Sequence, residues 1–318
     1  MKKDIILKTE IMTKKIPNKL ALIIIISMLF HVALNGQVSN RQWWNSLSPA
    51  WKKVFLLDQF KGKEIEPSDE DLERVVKTKR INCSNNKEIS DLRPLSQLVL
   101  LEQVKCTNCP SLKGLDGLEN LTNLWLLDCS DNDNISSLKP IESVTSLKNL
   151  NAGNTMVKNL SPLLNLGNLE QLDLHLTTIN ELIFLKNLKK LTKLDVSENA
   201  TLYSIDGIEG VTNLLEFNCS KTDIYDLEPI KNLKNIRVLD ISSTQVKTIS
   251  PLQNVKSLQE INCNNTPIRT LKYLFANPNI NILSARGTLI PKEDVKFSID
   301  AITRINYQPK NLILELDQ

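Results

Sequence analysis

An α/β solenoid is the fold class predicted for this chain of 318 residues, on three observations. The stretch from Ile236 to Leu258 reads Ile-Arg-Val-Leu-Asp-Ile-Ser-Ser-Thr-Gln-Val-Lys-Thr-Ile-Ser-Pro-Leu-Gln-Asn-Val-Lys-Ser-Leu, and near copies of it fill most of the sequence. Its apolar residues, Ile236, Leu239, Ile241, Val246, Ile249, Leu252, Val255 and Leu258, follow neither the alternation of an isolated strand nor the spacing of a helix. The copies begin at Thr78, Leu101, Leu124, Leu147, Leu169, Leu191, Leu214, Ile236 and Leu258, with a degenerate tenth at Ile280, each 22 or 23 residues after the last. A chain built this way grows by adding coils, so its length counts repeats.

Within a coil, Val238-Leu239-Asp240-Ile241-Ser242 predicts a short strand with Leu239 and Ile241 inward, the strands of successive coils stacking in parallel. The return half carries Pro94, Pro140, Pro162, Pro229 and Pro251, each before an aliphatic residue, which predicts 3₁₀ or irregular turns. The ninth position covaries with coil length. Coils of 23 residues carry Asn86, Cys109, Asn132 and Asn199 there, and coils of 22 carry Thr155, Thr177, Thr222, Thr244 and Thr266. An inward Asn is expected to hydrogen-bond the backbone of the wider turn, and Thr to suit the tighter one.

The flanks depart from the repeat. Residues 37–77 hold Trp43, Trp44, Trp51, Phe55 and Phe60 around Ser46, Ser48 and Pro49, which predicts two short helices, and Ser68 is placed to cap a third with acidic residues in its first turn. They predict a helical N-terminal cap, because the open end of the first coil has to be covered. After the repeats of 78–290, a helix is expected from Pro291 to about Ile302 and a strand at Leu312, Leu314 and Leu316, making 291–318 a C-terminal cap. Residues 1–36 carry six Lys against two acidic residues, and Leu20 to Leu34 is a mostly apolar run of 15. That pattern predicts an export signal cut near Gly36, with Met12 as a possible start, an uncleaved anchor as the alternative, and no stable membrane span after cleavage. The protein is then secreted, periplasmic or associated with the cell surface.

Removing the leader's net +4 from the total of +3 leaves about −1, and no basic stripe of the kind a nucleic-acid partner requires. Cys83, Cys106, Cys129, Cys219 and Cys263 share the inward column of Ala152, Leu174, Val196 and Ile241, which predicts unpaired core thiols, while Cys109 takes an Asn position. Past the leader the only histidine is His175, so histidine-based catalysis and metal clusters lack material and neither catalytic residues nor a cofactor is expected.

The motif Leu-x-x-Leu-x-Leu-x-x-Asn/Thr-x-Ile-x-x-Leu-x-Pro-Leu-x-x-Leu, over about 78–290, resembles the 22-residue class of leucine-rich repeats of bacterial internalins. The resemblance implies a right-handed horseshoe whose parallel concave sheet binds proteins, in an exported or surface protein. The flank Trp43-Trp44-Asn-Ser-Leu-Ser-Pro-Ala-Trp51-Lys-Lys is unlike the internalin cap, and a cell-wall anchor is missing, so host-cell invasion is not carried over.

Most outward positions of the sheet are polar, which makes the exceptions candidate docking residues. Leu126, Val238 and Ile282 face outward with Trp125 at the edge, and Asp128, Asp173, His175, Asp195 and Asp240 supply an acidic middle. These nine are the expected partner-binding residues of a protein-recognising scaffold. The alternatives are a surface or adhesion component that assembles with itself and, less favoured, an enzyme using the Asp column. Neither the partner nor the oligomeric state is readable from the sequence.

Overall fold

The structure, a computed structural model, describes residues 39–274, 277–294 and the strand at 313–315. The expected export signal lies outside these residues, as does most of the expected C-terminal helix, of which 292–294 are described as helical. The chain divides between Ser46 and Leu47 into two units. In the first, helix α1 (Asn40–Ser46) carries Trp43 and Trp44 with ring centroids 6.4 Å apart, and both rings are buried.

The second unit opens with α2 (Pro49–Phe60), started by the Ser48 side chain accepting from the Trp51 amide, with Pro in the first turn where its missing N–H costs nothing. Its apolar face buries Ala50, Trp51, Val54 and Phe55. Trp51 Nε1 donates to the Asp91 carbonyl at 3.1 Å, which ties this helix to the first coil. Helix α3 (Asp69–Val75) starts in a capping box of Ser68 and Asp71.

Then come ten coils, and with them one parallel sheet of eleven strands in sequence order. The strands are β1 (Arg80–Asn82), β2 (Gln103–Lys105), β3 (Leu126–Asp128), β4 (Asn149–Asn151), β5 (Gln171–Asp173), β6 (Lys193–Asp195), β7 (Glu216–Asn218), β8 (Val238–Asp240), β9 (Glu260–Asn262), β10 (Ile282–Ser284) and β11 (Ile313–Glu315). Register is strict: Leu127 pairs with Leu150, Leu172 with Leu194 and Leu239 with Ile261, so each coil's inward residue sits over its neighbour's.

Strands are three residues long rather than the expected five. At the eighth position the backbone enters the left-handed region in all ten coils, at Asn85, Asn108, Asp131, Asn154, Leu176, Glu198, Lys221, Ser243, Asn265 and Gly287. That turn ends the β geometry without ending the ladder, since Ile241 N still donates to Asn262 O at 2.9 Å and Ser243 N to Asn264 O at 2.8 Å.

The return halves of eight coils are 3₁₀ turns, such as Lys139–Ile141, Ser161–Leu163 and Glu228–Ile230 with Pro in the first turn, while the return between β2 and β3 runs through plain turns. Two coils carry Gly117 (φ 109°) and Gly207 (φ 103°) at the Pro position instead, where a Cβ would come within 2.4 Å of Leu92 O and 2.6 Å of Leu182 O. Only glycine meets both the dihedral and the close approach.

Candidate functional site

Each strand presents its third and fifth coil positions outward, and the fifth column holds the predicted aspartates. Strand pairing sets Asp128 beside Asn151, Asn151 beside Asp173, Asp173 beside Asp195 and Asp195 beside Asn218. Every one of these side chains first serves its own backbone. Asp195 Oδ1 accepts from Ser197 N (2.9 Å) and Oγ (2.6 Å), Asp240 Oδ1 from Ser242 N (2.8 Å) and Oγ (2.6 Å), and Asp128 Oδ1 from Ser130 Oγ (2.9 Å). The bond organises the chain's exit from the strand, as in an Asx turn.

The column then divides. Asp195 Oδ2 accepts from Asn218 Nδ2 and Asp240 Oδ2 from Asn262 Nδ2, both at 2.9 Å, so these two carboxylates are engaged at both oxygens. In the hydrogen bonds of the described residues, Asp128 and Asp173 use one oxygen each. Their second oxygens are the ones available to a partner.

His175 Nδ1 lies 2.7 Å from Asp173 Oδ1, with both side chains about a third exposed. The ring occupies the space above Gly153, where a Cβ would lie 2.2 Å from Nδ1. Burial works to lower the imidazole pKa, but the Asp173 hydrogen bond and the charges of Asp173, Asp195 and Asp131 outweigh it and hold the group above its ordinary value.

Between β2 and β6 the outward face forms a hollow of about 250 Å³. Its floor is the strand backbone at Leu127, Leu150 and Leu172, whose side chains are buried in the core, and its polar walls include Lys105, Asp128, Asn149, Asn151, Asp173 and Lys193, with Leu126 at one side. Of the nine predicted residues, Leu126, Asp128, Asp173 and Asp195 line it. Trp125 directly precedes the lining residue Leu126, His175 lies two residues after Asp173, Val238 and Asp240 lie on β8, and Ile282 lies on β10. With strands about 4.8 Å apart, β10 stands seven spacings from β3, roughly 34 Å away.

Trp125, Leu126, Val238 and Ile282 are half-buried. Glu102 and Lys148, the residues level with Trp125 on the neighbouring coils, pair with Lys79 at 2.7 Å and with Glu170 at 3.1 Å. Trp125 thus stands between two ion pairs. Lys105, Asn149, Asn151 and Gln171 were not singled out from the sequence, where they are ordinary outward polar residues. Only the stacking of coils makes them converge. Among the described residues no group of three His, Cys, Asp or Glu could hold a metal ion, and no helix is long and apolar enough to cross a membrane.

A parallel sheet of coil-by-coil strands backed by 3₁₀ returns defines the unit Leu47–Gln318 as a leucine-rich-repeat horseshoe, a class whose extended inner surface is used for binding. The family model for leucine-rich repeats in two copies matches residues 234–276. The fold is similar to that of an internalin of Listeria monocytogenes, at 20% identity and TM-score 0.67 over 88% of this chain and 93% of that one. A leucine-rich-repeat protein of Leptospira interrogans matches at 22% identity and TM-score 0.69 over 78% of this chain and 62% of that one. The functional domain of InlJ from Listeria monocytogenes, which includes a cysteine ladder, matches at 19% and TM-score 0.65 over 88% of this chain and 61% of that one. No curated protein matches by sequence. The fold is thus a leucine-rich-repeat solenoid similar to that of the internalins.

Proposed function

We propose that the protein is an exported scaffold that captures a protein partner on the outward face of its sheet, centred on the hollow between β2 and β6. The observation that carries the reading is the hollow itself, where the outward Leu126 meets the second oxygens of Asp128 and Asp173 and the ammonium of Lys105. Such a mixture suits a polypeptide, because apolar burial supplies affinity and fixed polar groups supply orientation. Trp125 and Leu126 are the apolar anchors, and Val238, Asp240 and Ile282 belong to the surface only if the partner spans the sheet as far as β10. The export half of the proposal rests on the basic, then apolar, leader.

The test is capture from native surroundings by the immobilised mature chain, followed by measurement of the captured partner against parent and Trp125→Ala. The variant is expected to keep the parent's melting transition nearly unchanged and to bind roughly tenfold more weakly or worse, the factor equivalent to about 1.4 kcal/mol. Equal affinity for the two proteins rejects this face.

A further inference from the structure

A second surface lies on the flank that leads out of the strands, away from the hollow. Leu202 and Ile224 are equivalent inward residues of adjacent coils, and both are fully buried. Tyr203 and Tyr225 follow them directly, and they are 56% and 61% exposed. In the same column the neighbouring coils carry Lys158, Asn180, Lys247 and Arg269, so the two rings are a local departure from a polar column. Coils repeat at about 4.8 Å in the sheet, which sets the two rings side by side on one face.

The ground around the pair is acidic. Asp223 and Asp226 stand on either side of Tyr225, Glu181 is one coil before Tyr203 and Asp206 lies three residues after it, all of them exposed. Two of the basic groups around it are already paired. Lys221 is paired with Glu198 at 3.1 Å and Lys231 with Glu228 at 2.7 Å, while Lys158 and Lys247 mark the borders, two coils before Tyr203's own coil and one coil after Tyr225's.

We infer that this flank docks an arginine-bearing segment of a partner polypeptide. A guanidinium is planar and weakly hydrated, so it can lie flat on a tyrosine ring while its N–H groups reach the carboxylates beside it. Asp223 is placed to take such a contact, and Asp226 keeps one oxygen for it, because only its Oδ1 accepts from the Glu228 amide at 2.9 Å. A lysine meets the same charge but stacks less well, which predicts selectivity for arginine at equal charge. The surface is separate from the hollow, and it can fail without affecting the function proposed above.

Fluorescence anisotropy of labelled octa-arginine, titrated with the full chain and compared with labelled octa-lysine, tests the inference. The arginine probe is expected to bind more tightly than the lysine probe. Tyr203→Ala with Tyr225→Ala should weaken it by about tenfold or more, whereas Tyr203→Phe with Tyr225→Phe, which keeps the ring faces, should retain most of the affinity. Circular dichroism melting confirms that these exposed substitutions leave the fold intact. Equal binding of the two probes, or unchanged arginine binding by the alanine pair, overturns the inference. Loss in Trp125→Ala but not in the alanine pair would move the arginine to the sheet and also overturn it.

Discussion

At the eighth position of each coil the chain needs a left-handed residue, and the side chains that occupy it differ in how well they tolerate it. Asn85, Asn108, Asn154 and Asn265 are suited, since a short amide adopts this region more readily than other side chains, and Gly287 pays no steric cost. Leu176, Glu198 and Lys221 fit less well, and Leu176 is the apolar one among them, with φ of 49°, 45% of its surface exposed, and its amide committed to Ser197 O at 2.9 Å. The residue carries the strain without full burial to offset it. Leu176→Asn is therefore expected to stabilise the protein by about 1 kcal/mol, seen as a higher urea midpoint at unchanged slope. A lower midpoint would show that packing of the leucine outweighs the backbone cost.

The element that closes each coil is the turn around the ninth position, and Asn and Thr close it in different ways. Thr155, Thr177, Thr222, Thr244 and Thr266 each donate to the carbonyl three residues earlier in the same coil, at 2.6–2.9 Å. Asn132 reaches further, donating to the carbonyls of Cys129, Ser130 and, in the preceding coil, Cys106, while its Oδ1 accepts from Cys109 N at 2.8 Å. Asn199 repeats that arrangement with Leu174, Val196, Ser197 and Thr177. Cys109 imitates part of it, with its thiol 3.2 Å from the Cys83 carbonyl. Asn86, in the first coil, is half-buried and instead caps its own turn through Glu88 N and Ile89 N. Asn132→Ala would leave the Cys106 and Cys129 carbonyls and the Cys109 amide without these partners, the Ser130 carbonyl keeping the Asn108 amide, so it is expected to cost about 3 kcal/mol or more, against about 1 kcal/mol for Thr244→Val. Urea unfolding of the two variants is the measurement, and equal costs would show that the bonds between coils add nothing.

Across the whole array, one inward column mixes thiols with aliphatics. Among the described residues all six cysteines are free and buried. Burial raises the thiols of Cys106, Cys129, Cys219 and Cys263 well above the ordinary value, those of Cys129 and Cys263 to about 12. The folded state therefore keeps these protons while an unfolded chain gives them up from about pH 8.5, so stability is intact below that pH and falls as pH rises toward the folded values. Each such thiol contributes a slope of up to about 1.4 kcal/mol per pH unit. Urea midpoints between pH 8 and 10 should decline accordingly, and Cys219→Val with Cys263→Val should flatten the decline, as Val196 and Ile241 already fill the same column. An unchanged slope in the double variant would mean that other groups govern the alkaline loss.

Much of this architecture was legible in the order of residues, because a repeat states its rules many times. The positions of Leu239 and Ile241 set the inward face, the prolines set the 3₁₀ returns, the Asn and Thr of the ninth position announced two kinds of turn, and the company kept by Cys219 and Cys263 marked them as core thiols. Each of these depends on local geometry or on comparison between copies of one motif. The left-handed eighth position escaped notice because Leu176, Glu198 and Lys221 hide what Asn and Gly suggest at the other coils. The candidate site was legible only in part. Asp128, Asp173, Asp195 and Asp240 look alike in sequence, and only the pairing of strands commits the second oxygens of Asp195 and Asp240 to Asn218 and Asn262, while Asp128 and Asp173 each use one oxygen in the hydrogen bonds of the described residues. Lys105, Asn149 and Lys193 come to line the hollow for the same reason, since a hollow is a property of several coils side by side and no single coil contains it. The sequence by itself determined the coil and its stacking. The tertiary structure decided which outward polar groups are spent on the fold and which remain for binding, because that depends on the neighbour each side chain meets in the next coil.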